Sequence, residues 1–207
     1  PLPYAGPDGI QAMLEGLMRF GWQGKYEGDV LVGLSRPAEA GGGSVTLEPG
    51  GQLELSGAPL INIHQTCAEV NRHLGEVRTV AAELGQSYLG IGYTPNWGLE
   101  DAPQMPKGRY RLMTDYMPSR GTRGLEMMYL TATVQVNLDF GSPTDMVEKL
   151  KIALALQPLA TALFANSPFK NGEPTGNLSE RSLVWLDTDP DRTGMLPMVF
   201  EPGFGFE

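Results

Sequence analysis

The feature that most limits the fold is an alternation of polar and apolar side chains over residues 44–56, SVTLEPGGQLELS. Even positions are polar on both sides of the Pro-Gly-Gly at 49–51, and odd positions carry leucine or valine. Side chains of a β-strand alternate between two faces, so the pattern predicts a strand with one polar face and one core-facing face. Glu48 and Glu54 then share the polar face, unless residues 49–51 form a bulge or a turn that breaks the parity.

Two carboxylates on one rigid strand are a candidate site for a divalent cation, because Mg²⁺ prefers carboxylate oxygens as ligands. We therefore consider Glu48 and Glu54 candidate metal ligands. The same pattern is also typical of an ordinary strand with a solvated face, and by itself the alternation favours that simpler interpretation.

Composition narrows the classes of partner. The 207 residues carry a net charge of −9, which argues against a nucleic-acid partner because phosphate binding requires clustered Lys and Arg. No apolar run approaches the roughly 20 residues that span a bilayer, and no signal peptide is visible, so we expect no membrane partner. Cys67 is the only cysteine, which excludes an internal disulfide and favours a reducing, cytoplasmic compartment.

The remaining periodicities predict a mixed fold. Helices are predicted from residue 10 to Gly21, from Asn62 to Gly85 with Gln65 in a capping box, after residues 104–106, and from Ser142 onward with a kink or break at Pro158. Strands are predicted at 29–34, 87–93, 131–140, 178–187 and 195–200. Because strands and helices do not strictly alternate, we predict an α+β fold with a mainly antiparallel sheet and helices packed on one face.

The predicted strand at 131–140 repeats the alternation, with Gln135 and Asn137 on its polar side. Amide side chains both donate and accept hydrogen bonds, so these two suit a polar ligand or a metal-bound water. An ordinary solvent-facing strand explains the pattern equally well.

Arginines provide the candidate anion sites. Arg181 and Arg192 flank the predicted strand at 178–187 and the turn that follows it, and a guanidinium group matches the geometry of a carboxylate or a phosphate. The simpler interpretation is a surface arginine. Arg120 and Arg123 lie in a glycine-containing loop that either closes over phosphates or is solvated and mobile.

Cysteine and histidine chemistry is weakly indicated. His64 and Cys67 are three residues apart on the second predicted helix, a spacing that permits a nucleophile pair. Cys67 also lies on the predicted apolar stripe of that helix, which favours a buried, small hydrophobic residue. His64 and His73 are too far apart for a metal-binding pair, and we expect both at the surface.

Several blocks of the sequence together resemble the glutamate–cysteine ligase family, in the class shared by plants and many proteobacteria. The blocks are SVTLEPGGQLELSGAPL (44–60), HQTCAEVNRHL (64–74), MPKGRY (105–110), TATVQVNLDF (131–140), QPLATALFANSPF (157–169) and ERSLVWLDTDPDRTGMLPMVF (180–200). The resemblance implies an ATP-dependent ligase that joins the γ-carboxylate of L-glutamate to the amine of L-cysteine through γ-glutamyl phosphate. It also implies Mg²⁺ as cofactor, the first step of glutathione biosynthesis, and a glutamine-synthetase-like catalytic domain.

The resemblance implies roles for six residues of this chain. They are metal ligation and catalysis for Glu48 and Glu54, substrate contacts for Gln135 and Asn137, binding of the glutamate α-carboxylate for Arg181, and catalytic neutralisation of phosphate charge for Arg192.

Two blocks of the family pattern are absent, an N-terminal Gly-Thr-Glu-His-Glu strand and a C-terminal portion. We therefore expect residues 1–207 to be part of a single catalytic domain and to be inactive alone. Cys67 lies in a block that carries redox regulation in plants, and its partner would lie beyond residue 207. Two alternatives stay open: a carboxylate–amine ligase with another acceptor amine, and, for residues 1–207 alone, a non-catalytic acidic module that binds a cation or a metabolite. The oligomeric state is not predicted.

Overall fold

The computed structural model describes residues 1–206, which form an α+β fold divided into two compact units. The first unit comprises Pro1–Leu89 and Leu99–Tyr116, and the second comprises Gly90–Gly98 and the chain from Met117 onward. The predicted α+β class and the antiparallel character of the main sheet are confirmed.

The first unit contains a four-stranded antiparallel sheet in the order β1-β2-β3-β4 and three helices. Its elements are α1 (Ile10–Met18), β1 (Gln23–Glu27), β2 (Val30–Ser35), β3 (Ser44–Leu47), β4 (Leu53–Ser56), α2 (Ile63–Leu84) and α3 (Gly108–Tyr116). The strand predicted at 29–34 corresponds to β2, and β1 was not predicted from the sequence.

The alternating segment forms a β-hairpin rather than one continuous strand. β3 and β4 pair antiparallel, in a register that sets Val45 against Leu55 and Thr46 against Glu54. Residues 49–51 form the turn between them. The prediction of a single strand is therefore wrong, because proline and glycine favour a turn here over a bulge.

The turn nevertheless keeps the two acids on one face. The backbone N–H of Glu48 donates to the carbonyl of Gln52 at 3.0 Å, so the pairing continues one step beyond β3. Residues that are directly opposite in an antiparallel pair share a face, and so do alternate residues along a strand. Glu48 therefore lies on the same face as Glu54, as the alternation predicts.

Gly51 connects this turn to the core. Its φ of +83° is in the left-handed region, and a Cβ at this position would lie 2.5 Å from Cδ1 of Ile10. Only glycine meets both requirements without strain.

A hydrophobic core fills the first unit between the sheet and the helices. The apolar face of the hairpin contributes Val45 and Leu47, which are fully buried. α1 is confirmed, and its core-facing side chains recur at helical spacing: Ile10, Met13, Leu14 and Leu17. Each buried aliphatic side chain contributes about 1.5–3 kcal/mol relative to an exposed one, so the hairpin's orientation is strongly specified.

α2 begins and ends where the sequence predicts. Oδ1 of Asn62 accepts a hydrogen bond from the N–H of Gln65 at 3.1 Å, and Oε1 of Gln65 accepts one from the N–H of Ile61 at 2.9 Å. At the other end, Gly85 adopts a left-handed φ of +65°, which closes the helix.

The buried face of α2 differs from the predicted apolar stripe. Glu69, His73 and Glu76 are buried, whereas Cys67 is exposed and its Sγ accepts a hydrogen bond from Asn71. The expectations of a buried Cys67 and a surface His73 are therefore wrong. The reason is that polar partners from distant segments satisfy the buried carboxylates, which leaves part of the apolar stripe outside.

Glu76 anchors α2 through a buried ion pair. Nη2 of Arg36 donates to Oε1 of Glu76 at 2.8 Å, and both side chains are only 8% exposed. Nε1 of Trp22 donates to the other carboxylate oxygen at 2.8 Å. The Arg36 guanidinium also lies over the Trp22 ring, 3.9 Å from its centroid. Both oxygens of the desolvated carboxylate are thus satisfied.

The second unit contains three helices and a two-stranded ribbon. Its elements are α4 (Gly124–Leu130), α5 (Pro143–Phe164), β5 (Phe169–Lys170), β6 (Glu173–Pro174) and α6 (Glu180–Leu186). α5 begins as predicted, with Oγ of Ser142 accepting from the N–H of Asp145 at 3.1 Å. It continues through Pro158 without the predicted break. Within residues 1–206, no helix has the length and apolar content that a membrane span needs.

Three predicted strands of this unit and its border are wrong. Within the predicted strand at 178–187, Glu180–Leu186 form α6, because Oγ of Ser179 accepts from the N–H of Ser182 and caps a helix. Residues 197–200 form a 3₁₀ turn that begins at a proline. At 87–93, only Tyr93 pairs, in an isolated bridge to Thr131.

The predicted strand at 131–140 is also wrong, since this segment is not part of a ladder among the described residues. Beyond Thr131 it has no strand assignment, and Val134 is 92% exposed. The segment has the alternating sequence of a strand, but no strand within residues 1–206 pairs with it.

Arg36→Ala is expected to lower the free energy of unfolding by about 3–5 kcal/mol, because it leaves the buried Glu76 carboxylate without its cation. Thermal unfolding of the full-length protein, followed by circular dichroism, measures the change as a drop in the midpoint. Arg19→Ala is the matched control, since Arg19 pairs with Glu83 at the exposed surface and its loss should leave the midpoint nearly unchanged. Equal midpoints for the two variants would contradict a structural role for the buried pair.

Candidate functional site

The polar face of the β3–β4 hairpin carries the first candidate site, and residues 105–110 lie beside it. Nζ of Lys107 donates to the carbonyl of Leu47 at 2.8 Å, and Oη of Tyr110 donates to the same carbonyl at 2.5 Å. Nη2 of Arg109 lies 3.2 Å from Oη of Tyr110. Two cationic side chains are thus held next to Glu48.

Electrostatics around Glu48 are unfavourable to its charged form. Burial, and then the negative charge of Glu54, raise the pKa of Glu48 above its usual value. The positive charges of Arg109 and Lys107 and a hydrogen bond from Tyr110 oppose this rise without cancelling it. The charged form of Glu48 is therefore disfavoured, mainly by burial, and a bound divalent cation would favour it.

Glu27 belongs to the same cluster, and the sequence did not reveal it. Its Oε2 accepts a hydrogen bond from the N–H of Gly108 at 3.1 Å, at the start of α3. Its charge also acts on Lys107 and Arg109. No sequence signal pointed to Glu27, because its neighbour in space is 81 positions away along the chain.

The donor set of this face fits part of a Mg²⁺ site. Glu48 and Glu54 offer hard carboxylate oxygens on one face, which is the chemistry that Mg²⁺ requires. In the described part of the chain, no three His, Cys, Asp or Glu side chains gather in a metal-binding arrangement. Two carboxylates leave most of an octahedral shell to be filled by other oxygens, such as those of water and phosphate.

Gln135 and Asn137 lie together in the second unit. Nε2 of Gln135 donates to Oδ1 of Asn137 at 3.1 Å, and both residues are exposed. The two amides are thus in contact, but without the strand and the buried apolar side that the alternation of 131–140 predicts.

Arg181 is a second candidate site, on α6. Its Nε is buried and has no hydrogen-bond partner, and burial lowers its pKa. The guanidinium lies 5.4 Å from the centroid of the Trp185 ring, and no carboxylate pairs with it among the described residues. Gly92 packs between Asn166 and Arg181, which brings these two side chains close together. A Cβ at position 92 would lie 2.8 Å from Oδ1 of Asn166 and 3.4 Å from Cδ of Arg181. A half-buried cation without an acid is suited to an anionic ligand.

A cluster of four charged side chains supports the start of α6. Nη2 of Arg123 donates to Glu126 and to the buried Glu180, at 2.6 Å in each case. Nζ of Lys170 lies 3.0 Å from Glu126, and Oη of Tyr93 donates to the same carboxylate at 2.9 Å. Burial alone would raise the pKa of Glu126, but these hydrogen bonds hold it below its usual value. Arg123 therefore joins the start of α4 to the start of α6 through two ion pairs.

Arg192 occupies the turn that follows α6. Its Nη1 donates to Oδ2 of Asp189 at 3.0 Å, while its side chain is 65% exposed. Asp189 itself is buried, so the turn is well anchored and the guanidinium remains accessible.

Comparison with known proteins points to one family. The sequence profile of glutamate–cysteine ligase family 2 matches residues 1–207. The chain is 58% identical over 208 residues to a chloroplastic glutamate–cysteine ligase of Arabidopsis thaliana, which covers 100% of this chain and 38% of the relative. It is 56% identical to the corresponding enzyme of Solanum lycopersicum, with coverages of 100% and 38%, and 56% identical to ligase A of Oryza sativa subsp. japonica, with coverages of 100% and 41%. The chain thus spans about two fifths of the length of these curated relatives.

The same comparison corrects the expected location. Each of the three relatives is named chloroplastic, so the expectation of a cytoplasmic protein is wrong. That expectation came from a single cysteine, which indicates a reducing environment and does not identify the compartment.

Glu54→Gln is expected to lower the pKa of Glu48, because it removes the like charge that disfavours the ionised form. The raised pKa means that Glu48 becomes protonated at a higher pH than an ordinary glutamate, and the variant should shift this protonation to lower pH. Carbon-13 NMR titration of the metal-free, full-length protein measures the pKa of Glu48 in the wild type and in the variant. The control is Glu39→Gln, an exposed acid elsewhere in the same unit; an unchanged Glu48 titration in Glu54→Gln would show that the two acids do not interact.

Proposed function

Because this chain belongs to glutamate–cysteine ligase family 2, we propose that the full-length protein is an ATP-dependent ligase that joins L-glutamate to L-cysteine. The observation that carries the proposal is the match to the family over all 207 residues, at 56–58% identity to plant enzymes that bear this name. The product is γ-glutamylcysteine, and the reaction is the first step of glutathione biosynthesis.

The reaction has two steps. The γ-carboxylate of glutamate attacks the γ-phosphorus of ATP, which forms γ-glutamyl phosphate and releases ADP. The amine of cysteine then attacks the acyl carbon, loses a proton and displaces inorganic phosphate. The main barrier in the first step is the approach of an anionic carboxylate to an anionic triphosphate, so positioning and charge neutralisation carry most of the catalysis.

Glu48 and Glu54 are the proposed metal ligands. Mg²⁺ bound there would neutralise phosphate charge. Support comes from the shared face of the two acids and from the raised pKa of Glu48, whose causes are burial and then the negative charge of Glu54. Lys107 and Arg109 supply part of that charge from residues 105–110.

Arg181 is the proposed partner of the glutamate α-carboxylate. Its guanidinium has no carboxylate partner within the described residues, and its buried Nε lacks a hydrogen bond, which a carboxylate ligand would provide. Gln135 and Asn137 are proposed to contact substrate through their exposed amides. Arg192 is proposed to neutralise phosphate charge during transfer, and its accessibility supports this role.

We propose further that residues 1–207 are part of a single catalytic domain with a glutamine-synthetase-like, curved antiparallel sheet. The chain spans about two fifths of its relatives' length, and no residue of the apolar helix α5 is buried. Val134, Val136 and Leu138 are also exposed on one side of the alternating segment at 131–140. Extended apolar exposure of this kind is typical of surfaces that are covered in the complete protein.

Glu48→Gln is expected to lower the rate of γ-glutamylcysteine formation by at least about 100-fold, because one negative charge and one metal ligand are lost. Product formation by the full-length protein, measured with glutamate, cysteine and ATP, tests this. Glu39→Gln, which changes an exposed acid in the same unit, should retain wild-type activity. Turnover that persists when either amino acid is omitted would refute the ligase, and turnover with another amine in place of cysteine would indicate a different acceptor.

Arg181→Lys is expected to raise the KM for glutamate by about 10- to 100-fold with a smaller change in kcat, because a lysine cannot form the bidentate pair with a carboxylate. Steady-state kinetics at saturating ATP and cysteine measure the two constants separately. Arg78→Lys, at an exposed position of α2, is the matched control. A KM for glutamate equal to that of the wild type would remove Arg181 from the glutamate site.

A further inference from the structure

The carbonyl of Leu47 has an unusual position at the end of β3. The pairing of β2 with β3 ends at Gly33 and Thr46, one residue earlier. In an antiparallel ladder, hydrogen-bonded residue pairs alternate with non-hydrogen-bonded pairs. Glu48 and Gln52 form a hydrogen-bonded pair, so the preceding residue, Leu47, is in a non-hydrogen-bonded pair and its carbonyl points away from β4. It therefore lies one residue beyond the last paired residues of β2 and β3 and needs another donor.

Two side chains from residues 105–110 supply that donor. Oη of Tyr110 donates to the Leu47 carbonyl at 2.5 Å, and Nζ of Lys107 donates to it at 2.8 Å. Nη2 of Arg109 donates to Oη of Tyr110 at 3.2 Å. Since an arginine only donates, the Tyr110 hydroxyl accepts from it and directs its own proton toward Leu47. The Glu48 carboxylate also lies within hydrogen-bond reach of this hydroxyl, so Tyr110 contacts Glu48 directly as well as through the backbone.

The same segment also holds the backbone on the other side of Glu48. The N–H of Met105 donates to the carbonyl of Pro49 at 3.0 Å. Met105 is 4% exposed and Tyr110 is 2% exposed, so both ends of the segment are packed in the core. The residues that precede and follow Glu48 are thus each bonded to a segment whose two ends are buried.

We infer that Tyr110 and Lys107 are positioning residues for Glu48: by bonding to the Leu47 carbonyl, they fix the backbone from which the Glu48 carboxylate projects. The inference rests on the proposed metal role of Glu48. A metal ligand must be held within about 0.5 Å of its productive position, and groups that orient ligands typically contribute 10- to 100-fold in metal affinity. Neither side chain touches the metal or a substrate in this role.

The test uses Mn²⁺ as the probe and the full-length protein without substrates. Tyr110→Phe removes one hydroxyl and retains the buried ring, and we expect it to weaken Mn²⁺ binding about 10-fold, as measured from the free-ion signal in electron paramagnetic resonance. In the ligase assay, the half-saturating Mg²⁺ concentration should rise by a similar factor, while kcat at saturating Mg²⁺ stays near that of the wild type. Replacement of Tyr110 by 4-aminophenylalanine, which keeps a donor at the same ring position, should restore Mn²⁺ affinity.

Tyr4→Phe is the matched control. The Tyr4 hydroxyl donates to the carbonyl of Leu31 at 2.7 Å, so this variant also removes a hydroxyl–carbonyl hydrogen bond from the same unit. It should lower the thermal midpoint about as much as Tyr110→Phe and leave Mn²⁺ affinity unchanged.

The outcomes separate this inference from the function on which it rests. If Glu48→Gln weakens Mn²⁺ binding and Tyr110→Phe does not, the positioning role is overturned and the metal site stands. If Glu48→Gln leaves Mn²⁺ affinity unchanged, the proposed metal site fails, and the positioning role fails with it. Loss of affinity in Tyr4→Phe equal to that in Tyr110→Phe would show a general loss of stability and would also overturn the inference.

Discussion

The antiparallel pairing of β3 with β4 is the interaction on which the candidate site depends. It places Val45 and Leu47 in the core and, on the opposite face, Glu48 and Glu54. A slip of one residue would expose the valine and leucine and bury the acids, so the core enforces the register. The packing of the apolar face therefore fixes the positions of the two acids on the polar face. This position disfavours the charged form of Glu48, whose pKa is raised by burial and by Glu54.

The two candidate sites are built on the same physical plan. Each candidate side chain is next in sequence to a residue that is hydrogen-bonded: Glu48 follows Leu47, whose carbonyl accepts from Tyr110, and Arg181 follows Glu180, which pairs with Arg123. Among the described residues, no carboxylate pairs with Arg181 and no cation forms an ion pair with Glu48. A binding site needs side chains that are held in a fixed position and are still able to bind a ligand. The Glu48 site has this arrangement for a cation, and the Arg181 site has it for an anion.

The sequence predicted the faces of the hairpin but not the hairpin itself. The polar residues stay on one face because the turn at 49–51 has an odd number of residues, so that even-numbered positions of β3 lie opposite even-numbered positions of β4. The buried face of α2 was beyond sequence reasoning, since Glu76 depends on Arg36, a partner far along the chain. The helix α6 begins at a local cap, Ser179, which the sequence analysis missed. Local signals such as the caps at Asn62 and Ser142 were read correctly because they act within one helical turn.

The most direct test of the account is the position of the metal in the full-length protein. A structure of that protein with Mn²⁺ and a non-hydrolysable ATP analogue, with the metal identified by anomalous scattering, would settle it. The account predicts Mn²⁺ within about 2.3 Å of carboxylate oxygens of both Glu48 and Glu54, with further positions filled by phosphate oxygens. Mn²⁺ bound to the phosphates with neither glutamate in its coordination shell would contradict it.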